Sequence, residues 1–411
     1  MKFTTSRLAM TTAVVMTASV VLAGCASSGG GGQEGGGDPV KIGASLPLTG
    51  PLQAFGTSLQ TGYQKAVDEV NDAGGLDVDG TKRPVQLVVQ DNASTGDTAG
   101  SQARDLILDD EVVALLGPAT PPLSIPVSSA AEQAGIPALF TITPLEAWKG
   151  GNPDGWKWAW DVFFDEDQMT DTQFQTADLV ETNKKVALFT DQEEDGIVMG
   201  GLWAEKAAEF GYDLVYQAQF PVGNTNFSSQ VAEAKAADAD IIISQVIPPD
   251  GIALLKEFKA QSYDPELFFL EKAGNTGGYP ELSGGLADGT LAANWFAEGM
   301  GLDREGEFID EFSGELGGVN SDLGTIVYGY SIAKVLLDAI TAAGSTDPGA
   351  INQAIGATDA TYPAGHIAFG DDNAAATIAV QTQWVGNDAV MVLDADGKAA
   401  ADVVVPTPGL E

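Results

Sequence analysis

Nucleophilic and metal chemistry most often calls on histidine and cysteine, and this 411-residue chain has one of each, His366 and Cys25. A Cys/His zinc site or a histidine-based nucleophile triad cannot be assembled from them. Gly43-Ala44-Ser45-Leu46-Pro47 starts like a nucleophile elbow but lacks the closing glycine. Gly75 to Lys82 lacks the Gly-Lys-Ser/Thr ending of a phosphate loop. Asp77-Val78-Asp79-Gly80 and Asp394-Ala395-Asp396-Gly397 carry the Asp-x-Asp-Gly of a calcium loop without its closing glutamate, so a turn is expected at each. His366, in Ala-Gly-His-Ile-Ala-Phe, is read as a strand or turn residue with no role of its own. Among 58 Asp and Glu residues no pair stands out as a glycosidase couple. No catalytic residue, metal or cofactor is expected, and an enzyme is the weaker hypothesis.

Cys25 has other uses. Lys2 and Arg7, the Leu8 to Val21 run and the small residues after it read as a secretory leader over 1–24, too short and too Thr/Ser-diluted for a comfortable membrane span. Leu22-Ala23-Gly24-Cys25 resembles the bacterial lipobox, in which the cysteine sulfur takes a diacylglycerol and the cysteine becomes the mature N-terminus. At roughly 0.8 kcal/mol per buried CH₂, two or three chains such as palmitate would hold the protein at the membrane. The competing reading is an ordinary cleaved leader followed by a chance cysteine. Residues 25–38 are dominated by the Gly29 to Gly37 run and read as a flexible linker. No later segment reaches the roughly 18 uninterrupted apolar residues of a spanning helix, so the rest is expected to be extracytoplasmic and soluble.

The elements that would position a site follow from patterning. The length left after the linker suits two domains, each able to bury a core. Short apolar runs alternate with helical-period segments, as in parallel sheets built of βα units. Strands are expected at 40–46, 85–89, 112–116 and 136–140, then at 186–189, 214–220, 241–244 and 267–270. Ile241-Ile242-Ile243 is apolar on both faces, which suits a strand covered by helices on both sides. A long helix is expected from about Asp322 to Ala343, and β segments at Ile378 to Val385 and Ala389 to Leu393. The fold class is therefore α/β with two doubly wound units. With 19 Lys and Arg against its acids the chain carries a formal charge of −39. Nucleic acid is excluded as a partner, because no basic stripe exists to replace its counterions. Anionic headgroups would repel the protein too, so membrane attachment falls to the lipid.

These residues resemble a known family. The lipobox, the linker, Lys41-Ile42-Gly43-Ala44-Ser45-Leu46-Pro47-Leu48-Thr49-Gly50-Pro51 and Gly74-Gly75 look like the start of the solute-binding proteins of ABC transporters for branched-chain amino acids, amides and related solutes. Leu116-Gly117-Pro118, Ala134-Gly135-Ile136-Pro137, Lys185-Val186-Ala187-Leu188 and Thr225-Asn226-Phe227-Ser228 continue the match. The resemblance implies two lobes of the type I periplasmic-binding kind joined by three hinge crossovers near Trp160, Trp295 and Ala364 to His366. One lobe would be 39–160 plus 296–365 and the other 161–295 plus 366–411.

The resemblance also implies a site. Thr120 and Thr143, on the loops after the third and fourth strands, would hold the anionic end of the ligand, with Pro121 where a serine is usual and no N–H to offer. Phe55 would cover the apolar part, with ordinary core as the alternative. Glu271 would receive an ammonium, unless Lys272 beside it supplies the partner instead. Asp195 and Ile247 stand where tyrosines are usual, and Asp195 is a candidate second acceptor. Trp148, Trp156, Trp158 and Trp160 read as hinge packing or as an aromatic platform. The implied function is a monomeric, lipid-anchored receptor that closes on a small polar or zwitterionic solute and delivers it to an inner-membrane ABC permease and its ATPase. Two alternatives are a ligand-sensing protein of the same fold that signals to a membrane partner, and an extracytoplasmic hydrolase.

Overall fold

In the computed structural model the described residues are 37–410, so the leader, Cys25 and most of the linker lie outside them. Strand Val40–Leu46 is flanked by Val85–Asp91 on one side and Ala114–Leu116 on the other, both parallel. Ala138–Thr141, Ala159–Phe164 and Ala374–Thr377 extend this sheet to six strands, again all parallel. The second sheet has seven strands. Ile241–Val246 lies between Lys185–Asp191 and Leu267–Lys272, with Asp213–Phe220 at one edge. Leu291–Asn294 continues it in parallel, and Val380–Val385 and Asp388–Leu393 close it as an antiparallel pair.

Helices cover both sheets, which is why the central strands are buried throughout. Helix Ser321–Ala343 is long and apolar enough in composition to cross a membrane, but most of its surface is buried inside the fold. It packs against Gln53–Asp72 where glycines let the backbones approach. A Cβ on Gly62 would lie 2.3 Å from the Ile326 carbonyl oxygen, and one on Gly329 would lie 3.1 Å from that of Leu59.

The chain passes between the sheets three times: after Phe164, after Asn294, and between Thr377 and Val380. Strand Ala159–Phe164 belongs wholly to the first sheet. The expected third exchange at Ala364 to His366 falls instead in a two-stranded hairpin, Asp359–Tyr362 with Gly365–Ala368, after which Ala374–Thr377 rejoins the first sheet. His366 sits on that hairpin, exposed, with its Nε2 3.1 Å from Asp359 Oδ1. Asp77 to Gly80 is the tip of another hairpin, Leu76–Val78 with Thr81–Arg83. Positive φ at Asp79 (51°) and Gly80 (72°) gives the turn the twist that a two-residue connection needs.

Trp148, Trp156 and Trp160 pack structure. Trp148 and Trp156 stack at 5.7 Å, and their Nε1 groups donate to Ser128 Oγ and the Trp148 carbonyl. Trp160 meets Phe369 edge-on and donates to Asn352.

Candidate functional site

The carboxyl ends of both sheets converge on one buried cavity of about 40 Å³. This is where ligands sit in doubly wound sheets. It is far below the roughly 300–1,000 Å³ of small-molecule sites, too small for a molecule of amino-acid size with the walls as they stand. Phe55, Thr120, Ile142 and Pro144 line it from the first lobe, and Asp195, Gln245, Glu271, Lys272 and Asn275 from the second. Phe163, Phe164 and Trp295, from the first two crossings, complete an aromatic wall with Met169 and Met199 beside it. A wider groove of about 610 Å³ lies between the start of helix Gln53–Asp72 and helix Pro248–Ala260, and it lacks such a convergence of charged groups.

Three lining residues hold a left-handed backbone although none is glycine: Thr120 (φ 68°), Ile142 (φ 54°) and Lys272 (φ 63°). Such conformations cost about 1–3 kcal/mol each and persist where the surroundings over-determine them. Thr120 precedes helix Pro121–Ala134, which starts with two prolines. Leu123 and Ser124 donate their N–H groups to the Thr120 carbonyl, so the Thr120 hydroxyl is what this loop offers the cavity. That hydroxyl is buried and has no partner among the described residues.

Glu271 is buried at the end of its strand. Its carboxylate accepts from Gln173 Nε2 at 2.6 Å and from the Ala293 N–H at 3.0 and 3.1 Å. Burial pushes the acid up to about 8, and those hydrogen bonds offset only part of the shift. Lys272 does not neutralise it. The Lys272 ammonium turns to Glu193, to Asp195 Oδ2 at 3.2 Å and to Asp191 Oδ2 at 3.8 Å. Burial works against its charge, but those carboxylates hold it well above the usual lysine range. Asp191 is pushed up by burial, with Lys272 opposing and Asp195 and Glu193 adding. Ligand atoms of Asp191, Glu193 and Asp195 lie within 4.8 Å of one another, close enough for a cation, and the lysine already supplies one.

Asp195 is therefore not a free second acceptor. Besides Lys272 it accepts from Gln245 Nε2 at 2.8 Å. Thr143 does not line the cavity: it faces the neighbouring helix, where its hydroxyl pairs with Ser124 Oγ at 2.8 Å and reaches the Thr141 carbonyl at 3.3 Å. Ile247 is buried just ahead of helix Pro248–Ala260. Phe55, Thr120, Asp195 and Glu271 do come together. Sequence reasoning left out Gln245, Phe163, Phe164 and Trp295. Register would have found Gln245, since it lies beside Glu271 across the sheet.

Comparison with known proteins points the same way. The chain is 24% identical over 352 residues to Leu/Ile/Val-binding protein homolog 7 of Brucella suis, covering 80% of this chain and 84% of that one. Its fold matches the leucine-binding protein LivK of Thermotoga maritima with a TM-score of 0.76 at 23% identity, covering 86% of this chain and 97% of that one. LivJ of Streptococcus pneumoniae, a branched-chain amino acid transporter substrate-binding protein solved with isoleucine, matches with a TM-score of 0.72 at 22% identity, covering 90% and 100%. Residues 39–389 match the model of the periplasmic binding protein family. With that match over nearly the whole described chain, two doubly wound lobes and a cavity closed between their strand ends, the chain belongs to the periplasmic binding protein family.

Proposed function

We propose that this protein is the extracytoplasmic solute receptor of an ABC importer, held at the membrane through a lipid on Cys25. In this reading it works as a monomer, closes its lobes on a small polar or zwitterionic solute, and presents it to a permease and its ATPase. The observation that carries the reading is the cavity itself, buried between two lobes and lined from both. Closure needs no chemistry: a solute that contacts both walls binds the closed state better and shifts the population toward it by that difference. Glu271 takes the cationic end, the Thr120 hydroxyl takes the other polar end, and Phe55 covers the apolar body.

A thermal-shift screen of the purified protein against amino acids, amides, polyamines and aromatic acids tests the reading. A solute at a hundred times its dissociation constant stabilises by about 2.7 kcal/mol, a shift of a few degrees. The expected outcome is a selective hit that Glu271→Ala abolishes, and silence across the panel argues against a solute receptor. The anchor has its own check: Cys25→Ser should leave the protein unlabelled by radioactive palmitate and free of the membrane fraction.

A further inference from the structure

Among the mostly apolar walls of the cavity, one polar side chain is locked in orientation with its acceptor unused. Gln245 is 5% exposed and lines the cavity. Its amide nitrogen donates to Asp195 Oδ2 at 2.8 Å. A carboxylate paired with a lysine only accepts, so the amide cannot be flipped and Oε1 must be the other end. That oxygen is buried and has no partner among the described residues. The lock is stiff because Asp195 is itself held by Lys272 at 3.2 Å, so a strand end, a helix start and a neighbouring strand fix the amide together. A buried acceptor left unpaired is a standing cost to the fold, and Oε1 caps no helix and serves no strand ladder.

We propose that Gln245 is a specificity-determining residue of this pocket: its fixed amide oxygen accepts from an N–H or O–H on the solute's side group, so the site selects donor-bearing side groups over hydrocarbon ones. The proposal rests on reading the cavity as the solute site. A hydrocarbon group would leave Oε1 as unpaired as before, whereas a donor repairs it. Sites built to hydrogen-bond a substrate group discriminate far more strongly than pockets that count methylenes. Anionic side groups are disfavoured as well, because Asp195 lines the same cavity and the lysine there is already engaged by Asp195 and Glu193.

Isosteric amino acids separate these cases, since threonine replaces one methyl of valine with a hydroxyl and asparagine replaces the branched end of leucine with an amide. Titration calorimetry on the purified protein should show at least one polar member binding tenfold or more tighter than its hydrocarbon partner. Gln245→Met, of similar length and lacking the amide, should erase that preference. Valine and leucine binding as tightly as threonine and asparagine would overturn the inference while leaving the receptor reading in place. A preference that survives in Gln245→Met would overturn it too. Binding of none of the four would overturn the inference and leave the receptor reading to the wider thermal-shift panel. The comparison within the natural protein does not depend on how the variant folds.

Discussion

The residues of the cavity differ in how their charge is balanced. Lys272 is surrounded by carboxylates, and removing it strands Asp191, Asp195 and Glu193 without their counter-ion. Breaking a buried pair from one side costs about 3–5 kcal/mol, so Lys272→Met should lower the unfolding free energy measured by urea denaturation by about that much. Glu271 is the reverse case, a buried acid with hydrogen bonds but no cation of its own. Held up to about 8, it carries a proton at neutral pH in the free protein. An ammonium-bearing solute prefers the ionised acid and must expel that proton. Its affinity should therefore climb as pH rises from 6 toward 8, by up to about tenfold per unit, and level off above. Calorimetry in two buffers of different ionisation enthalpy would register the released proton. Equal affinity at pH 6 and 8 would count against Glu271 as the cation's partner. Phe55, Thr120 and Glu271 were legible only through the family resemblance, and the structure brings them to one cavity. The choice of Lys272 was not legible. Neighbours on a strand point to opposite faces, but Lys272 ends its strand in a left-handed conformation that turns it toward the acids.

At the scale of elements, apolar runs announced the central strands, with boundaries off by a few residues. Three strands of the two large sheets escaped notice: Ala159–Phe164, whose aromatic run was read as a hinge crossing, and the two built mainly of small residues, Leu291–Asn294 and Ala374–Thr377, where alanine gives no strand signal. The latter is what carries the third exchange beyond His366. Helix contacts were not legible at all, since nothing near Gly62 in the sequence tells that a backbone carbonyl lies against it. Gly62→Ala should push helices Gln53–Asp72 and Ser321–Ala343 apart and destabilise by about 1–3 kcal/mol, measured by denaturant unfolding. One contact also spans the first crossing. Glu166 opens helix Glu166–Ala177 and accepts the N–H groups of Glu146 and Ala147, at 2.8 and 3.0 Å, at the start of helix Leu145–Gly150. Burial pushes Glu166 up to about 7 despite those bonds.

For the whole molecule, these buried acids set how stability depends on pH. Asp322, Glu166 and Glu271 are pushed up to about 6, 7 and 8, mainly by burial. Each keeps its proton in the native state at pH values where the unfolded chain has lost it. Between roughly pH 4 and 8 the native state binds more protons, so stability falls as pH rises. Glu69 acts in the opposite sense. Against its burial, Arg304, Tyr330 and Lys65 hold it down to about 2, and its contribution is lost as pH falls below its unfolded value. The formal charge of −39 adds self-repulsion that grows as acids ionise. The melting temperature should therefore be higher near pH 5 than at pH 8, and added salt should narrow the gap. A melting temperature that climbs from pH 5 to 8 would contradict the burial of these acids.

Lobe closure on a solute is the claim on which the rest depends. Small-angle X-ray scattering of the protein, with and without a saturating solute found in the thermal screen, tests it most directly. The radius of gyration should fall on binding in the natural protein and stay fixed in Glu271→Ala at the same solute concentration. A solute that binds at saturation and leaves the radius of gyration unchanged would contradict the account.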